Sequence, residues 1–219
     1  MKKLIIFGIG EQAEMAYYYF KHDSSYKITA FTVDKEYIEK ETLFDLPIIE
    51  FGSIESKFSK DDHELFIAVG YNKINKLRTE KYIACKNKGY KIASYISTKA
   101  SVFTDNIGEN VFVLEDNTIQ PYVRIGNNVT LWSGNHIGHH SIIEDNCFIT
   151  SHVVISGGCK IGENSFIGVN ATLRDHIKIG KSNVIGAGAL ILGDTEDNKV
   201  YMEIATEASR VPSNRLRGI

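Results

Sequence analysis

One aliphatic position recurs at every sixth residue, without interruption, through most of the second half of this chain. Stepping by six from Ile107 gives Val113, Ile119, Ile125, Leu131, Ile137, Ile143, Ile149, Ile155, Ile161, Ile167, Leu173, Ile179, Ile185 and Ile191. No slot is filled by anything else. A period of six cannot follow one face of an α-helix, which repeats about every 3.6 residues. Short strands broken by turns can carry it, with the aliphatic side chain pointing inward. The slot four residues later is mostly small or β-branched, as at Val111, Val123, Ser141, Cys147, Cys159, Ala171 and Ala189, and suits a corner. Glycine follows the aliphatic residue at 108, 126, 138, 162, 168, 180 and 186, where we expect it to free the backbone for the turn. The spacing predicts a parallel β-helix over residues 107–196.

This repeat resembles the hexapeptide-repeat acyltransferases. The resemblance implies a left-handed β-helix of triangular section, three hexads to a coil, so that residues 18 apart stack about 4.8 Å from one another. The segment containing MEIATEASR then reads as a short helix and tail covering the open end. The β-helix domain with this cap is expected over 99–219.

The first 98 residues alternate differently. KLIIFG (3–8), KITAFTVD (27–34), ELFIAVG (64–70) and KIASYI (91–96) are β-rich, with helix-like stretches around 11–22 and 73–89. Alternating strand and helix predicts an α/β domain with a parallel, Rossmann-like sheet. Its first turn, Gly8-Ile9-Gly10-Glu11-Gln12-Ala13, sits at a strand-to-helix junction, where glycines let a phosphate reach backbone N–H groups. Asp34 ends the second strand, placed to bond a ribose hydroxyl. Gly70 and Asn72 end the third and extend the same candidate pocket. A dinucleotide fold needs two such halves and this segment holds one, so a mononucleotide is expected.

Together the halves resemble bacterial sugar acyltransferases, the sialic-acid O-acetyltransferases and UDP-bacillosamine-type N-acetyltransferases. The resemblance implies a nucleotide-sugar on the N-terminal domain, acetyl-CoA or another acyl-CoA between subunits, a homotrimer, and a role in surface polysaccharide biosynthesis. The expected activity is N-acylation of a nucleotide-linked amino-deoxy sugar, with O-acetylation of a sialic-acid-type sugar as the alternative. Relatives place a catalytic histidine four residues before an aliphatic slot. Counting back from Ile143 gives His139, the expected general base. Relatives follow this histidine with a carboxylate; here His140 stands there, so either Asp116, Glu144 or Asp145 orients the ring or the base is weaker. Asn135-His136 offers a second phase for the base.

Five of the seven histidines lie in the repeat, none in an inward slot. One coil above His139 and His140 come Gly157 and Gly158, which suggests a clearing for substrate. Phe112, Thr130, Phe148, Phe166 and Val184 are 18 apart and should form an outward apolar stripe, read as an interface or ligand groove. With Trp132, that stripe is the residue-level reason to expect a trimer. By the resemblance, Phe148, Gly157, Val169 and Ala187 would line the acyl-CoA channel.

With 25 basic and 27 acidic residues, the chain offers no basic face for nucleic acid or anionic lipid. No apolar run reaches the roughly 18 residues of a membrane span, and MKKLIIFGIG reads as a buried first strand, so a cytoplasmic protein is expected. Cys85, Cys147 and Cys159 show no metal-ligand spacing and are expected to be reduced. A zinc enzyme resembling γ-class carbonic anhydrases, using His136, His139 and His140, is the rival of another class. Alternation along a strand would point those neighbouring rings apart and argues against metal. A nonenzymatic trimeric scaffold is the third reading.

Overall fold

A computed structural model describes residues 2–202 and residue 215 of the chain. The expected helix in MEIATEASR falls almost wholly outside the described residues. The N-terminal half contains β1 (Lys3–Phe7), α1 (Glu11–His22), β2 (Lys27–Val33), β3 (Thr42–Leu43), β4 (Leu46–Glu50), α2 (Ile54–Lys57), β5 (His63–Ile67), α3 (Lys76–Asn87) and β6 (Lys91–Ile92). Its sheet runs in the order β3-β4-β2-β1-β5-β6. All pairings are parallel except β3 with β4. Strand order reverses at β1, with β2 on one side and β5 on the other. Leu4, Ile6, Phe31 and Phe66 pack on one face with α1; Ile5, Phe7, Leu65 and Ile67 pack on the other with Cys85 of α3.

Two details differ from the sequence reading. The run 91–96 is not one strand. Lys91–Ile92 pairs with β5, whereas Tyr95–Ile96 pairs with Phe112–Val113 and starts the solenoid, slightly before the expected start at 99. The strand β4 was not anticipated, because Pro47 lowers its β signal; it lies next to the antiparallel β3 near the sheet edge, where a missing N–H is tolerated.

The repeat folds into two-residue strands that stack into three parallel sheets, giving a three-sided coil. Stacked partners are 18 residues apart, as in Phe112↔Thr130↔Phe148↔Phe166↔Val184. The first face carries this column. The second carries Thr118, His136, Val154, Thr172 and Leu190; the third carries Arg124, Ile142, Lys160 and Lys178. The aliphatic column from Val113 to Ile191 is buried along the axis, each side chain contributing about 1.5–3 kcal/mol. Asn117, Asn135 and Asn183 also occupy inward corner slots. Asn135 repays its burial by donating to Trp132 O and accepting from Val153 N of the next coil.

Glycine's role differs from the expected one. From Asn110 to Gly188 every sixth residue is left-handed, with φ from 52° to 76°, but that slot lies two residues after the glycines that follow the aliphatic position. Those glycines serve close approach instead. A Cβ on Gly138 would lie 2.5 Å from Gly157 N, and one on Gly162 2.7 Å from the Gly180 carbonyl carbon.

Candidate active site

The outward stripe on the first face is covered by the chain's own N-terminal half. Phe112 and Phe148 are each 1% exposed. Phe112 packs against Tyr19 and Phe66, and Phe148 lies under Tyr71 and the Arg78 guanidinium. The stripe is an intramolecular seam, so it no longer argues for a trimer contact. Trp132, expected outward, packs partly buried against the N-terminal core.

Arg78 fastens this seam, and sequence reading did not find it. Fully buried on α3, it donates to Asn128 O at 2.7 Å, Thr130 Oγ1 at 3.0 Å, and Asn146 O and Cys147 O at 3.0 Å each. Burial without a carboxylate lowers its pKa to about 10. Asn75 caps α3 from a left-handed conformation and donates to Asn164 O and Ser165 O. Lys73, Ile74 and Asn75 are left-handed in succession, a rare arrangement for L-residues and most unfavourable at β-branched Ile74. These partners are mostly main-chain carbonyls, which leave no mark in a sequence.

Above the seam opens a cleft of about 1140 Å³, lined by the carboxyl ends of β1, β2 and β5 and by one solenoid corner. Gly8, Gly10, Glu11, Asp34, Gly70 and Asn72 all line it, so the sequence-predicted set converges. Gly8 is structurally required, with φ 122° and a hypothetical Cβ 2.5 Å from Ala68 O. Gly10 and Gly70 are open, with nothing within 4 Å of a Cβ. Gly10 caps α1 without a side-chain hydrogen bond, which leaves the first N–H groups of the helix unclaimed by any cap. Asp34 is not free: its carboxylate pairs with Lys81 of α3 at 2.5 Å. Phe148 and Val169 belong to this cleft, together with Trp132, Thr150 and Ser151. Ala187 stacks on the Val169 turn one coil further along and is exposed.

His139 and His140 lie elsewhere, on the corner between the second and third faces, and do not line the cleft. Both are exposed. The residues sit in a turn, not a strand, and so converge where alternation had predicted divergence. Their Nδ1 atoms are 3.1 Å apart, with ring planes at 87°. The His139 N–H donates to Gln120 Oε1 at 2.8 Å. None of the expected carboxylates reaches His139. Glu144 pairs with Lys160 and Asp145 accepts from Asn127 N, while Asp116 lies on another corner. The expected clearing is occupied too. A Cβ on Gly157 would lie 2.7 Å from His139 Nε2, and one on Gly158 2.4 Å from His176 Nδ1, so these glycines seat imidazole rings. His136 is half-buried in mid-strand on the second face. Among the described residues no three His, Cys, Asp or Glu side chains converge to hold a metal ion. The three thiols are free and buried, and burial pushes Cys85 and Cys147 up to about 12, away from reactivity.

Residues 122–157 and 158–193 match the bacterial transferase hexapeptide (six repeats) family. Solved structures share the whole architecture. PerB from Caulobacter crescentus, in complex with CoA and GDP-perosamine, is 20% identical, with 93% of this chain and 95% of that one covered at a TM-score of 0.81. The acetyltransferase domain of PglB from Neisseria gonorrhoeae FA1090 is 22% identical, with 93% and 97% covered at a TM-score of 0.81. WeeI from Acinetobacter baumannii AYE is 19% identical, with 91% and 96% covered at a TM-score of 0.75. No curated protein matches the sequence.

Proposed function

We propose that the chain is an acyl-CoA-dependent N-acyltransferase that acts on the amino group of a nucleotide-linked amino-deoxy sugar, with His139 as general base. The observation that carries this reading is the cleft at the carboxyl ends of β1, β2 and β5. In open parallel sheets ligands bind where strand order reverses, and here that point holds an uncapped helix N-terminus, two open glycines and a carboxylate. A diphosphate fits against the N–H groups of α1, and a ribose hydroxyl fits Asp34, displacing Lys81 toward other polar atoms of the ligand. Support of a second kind comes from relatives of the same fold solved with CoA and GDP-perosamine, or with acetyl coenzyme A.

A left-handed coil and a Rossmann-like first domain, divided near residue 98, belong to this reading; the hexad repeat and the strand order support them. The nucleotide cleft and His139 occupy different corners of one chain. The reaction therefore calls for a second copy, so that acceptor held by one subunit meets His139 of another. The second face suits such contact, since Val154 is 39% and Leu190 62% exposed. A homotrimer thus rests on this face and not on the Phe112–Val184 column, with acyl-CoA along the groove beside Gly157. Val169 and Ala187 would line that groove from the corner between the first and second faces; Phe148, sealed in the seam, would not reach it. Amine attack on the thioester carbonyl forms the C–N bond, His139 takes the amine proton, and the C–S bond breaks to release CoA.

The test is direct. Purified protein with acetyl-CoA and a panel of UDP-, GDP- and dTDP-linked amino sugars should release free CoA thiol and add one acetyl group to the sugar nitrogen. Turnover with a hydroxyl acceptor alone would replace this reading by O-acetylation, and a monomer in light scattering at micromolar concentration would remove the shared site.

A further inference from the structure

The histidine corner departs from the corner beside α3 at its left-handed slot. Beside α3 that slot holds Asn110, Asn128, Asn146 and Asn164, residues at ease with positive φ. On the histidine corner it holds Tyr122, His140, Gly158 and His176. A tyrosine is an uncommon occupant of this conformation, and outliers of this kind concentrate at functional sites. Nothing in the solenoid core requires Tyr122, which is 72% exposed. Its ring instead lies over His140, at 4.7 Å between centroids and 34° between planes. His140 in turn places Nδ1 3.1 Å from His139 Nδ1. Two imidazole nitrogens at that distance bond only if one donates and the other accepts, so they share one proton. Among the described residues the Nε2 of His139 has no hydrogen-bond partner.

We propose that His140 is the positioning residue for His139, a neutral stand-in for a carboxylate. It accepts the Nδ1–H of His139, which leaves the Nε2 lone pair of His139 free as the base, and Tyr122 holds His140 in that pose. This rests on the acyltransferase reading above. The opposite sharing, with His140 donating, would put the only proton of neutral His139 on Nε2 and block its use as a base. During transfer the acceptor's proton moves to Nε2 of His139 and from there to the departing CoA thiolate. The Nδ1–H bond to His140 persists throughout, so His140 orients the imidazolium without supplying a counter-charge. The titratable groups around the pair are Tyr122 below and, beyond Gly157 and Gly158, Asp175 and His176.

The proton positions are measurable without turnover. Long-range nitrogen–proton NMR on the ligand-free full chain, labelled with ¹⁵N at histidine, at about pH 8 where imidazoles are mostly neutral, should show His139 as the Nδ1–H tautomer and His140 as the Nε2–H tautomer. In His140→Ala, His139 should revert to the Nε2–H form, and kcat should fall about 10- to 100-fold with both KM values within about twofold, the scale for loss of a neutral partner that orients a functional histidine. His140→Asn guards against misfolding, because asparagine accepts the left-handed slot and its Oδ1 accepts the same proton. It should keep the His139 tautomer and keep kcat within about fivefold. Native kcat in His140→Ala overturns the proposal and leaves the general-base role standing, whereas an Nε2–H tautomer for His139 in the native chain overturns the proposal and takes Nε2 out of the base role with it. Full activity in His139→Ala would instead remove the base role itself, whatever the tautomers are.

Discussion

Two corners of the same solenoid solve the same backbone problem with different side chains. Both place one left-handed residue in each coil, 18 residues apart. Beside α3 the asparagines there bond upward, Asn110 to Asn128 and Asn128 to Asn146, each at 2.8 Å. Asn110 also accepts from Ile67 N and so ties the first coils to the end of β5. Both ends of the Asn110 and Asn128 amides are spent on holding the molecule together. Among the described residues the histidine corner has no such ladder and packs against no other element, and it carries exposed rings seated on glycines. The hexad requires only the positive φ, so the choice of side chain separates a corner built for stability from the one proposed for chemistry.

The largest effect that could break this contrast is catalytic. His139→Ala should cut kcat by roughly 10²–10⁴, the range for loss of a general base, while leaving thermal stability unchanged, because the residue is exposed and takes no part in the solenoid core. His140→Ala should cost less, and His136→Ala least. If His136→Ala is the most damaging and His139→Ala stays active, the base lies three residues earlier and the corner contrast is misplaced.

The opposite pattern is expected on the other side. Arg78→Ala should leave Asn128 O and Asn146 O without a donor, leave Cys147 O with Thr130 N alone, and open a void over Phe148. Removing a buried hydrogen-bonded charge on this scale costs about 3 kcal/mol, or roughly 6–12 °C in Tm for a domain of this size. Calorimetry checks it. A stable Arg78→Ala chain with lost turnover would mean that this corner also takes part in the chemistry.

What was legible in the sequence divides along the same line. The solenoid was readable because each aliphatic slot faces one axis, so a local rule repeats without reference to distant residues. His139 was singled out by the resemblance, four residues before an aliphatic slot, and by Gly157 and Gly158 one coil above. The pairing of His139 with His140 was not, since alternation holds in strands and these residues occupy a turn. The seam was hidden for another reason. Phe112 and Phe148 showed an outward apolar column but not what would cover it, and Arg78 answers to main-chain carbonyls that any residue supplies. The cleft stands between: Gly8, Gly10 and Asp34 were legible as a βα turn, whereas the Lys81 partner came from a helix 47 residues further along.

That pair gives an intermediate test. Asp34→Ala should raise KM for the nucleotide-linked acceptor about tenfold, the worth of one charge-assisted hydrogen bond, and leave KM for acyl-CoA unchanged. Equal effects on both substrates would place acyl-CoA in the same cleft and erase the separation between the two sites.

The smallest effect concerns the outer end of the seam, where α1 meets the first coil. Asp23 accepts from Thr98 N at 2.9 Å, Thr98 Oγ1 at 2.6 Å, Tyr95 Oη at 2.6 Å and Ser97 Oγ at 3.2 Å. The Thr98 and Tyr95 hydroxyls, above all, hold its carboxyl down to about 2. A carboxylate whose pKa is lower folded than unfolded stabilises the fold above its unfolded value, and this contribution is lost as pH falls from about 4 toward 2. The group is largely open to solvent, so screening limits its worth to about 1 kcal/mol at neutral pH. Asp23→Asn should lower Tm by a few degrees at pH 7 and by clearly less at pH 2.5, with kcat untouched at pH 7. A kcat change of the same order as that in His140→Ala would show that the seam's geometry reaches the histidine corner, and the two corners would then have to be treated as one coupled device.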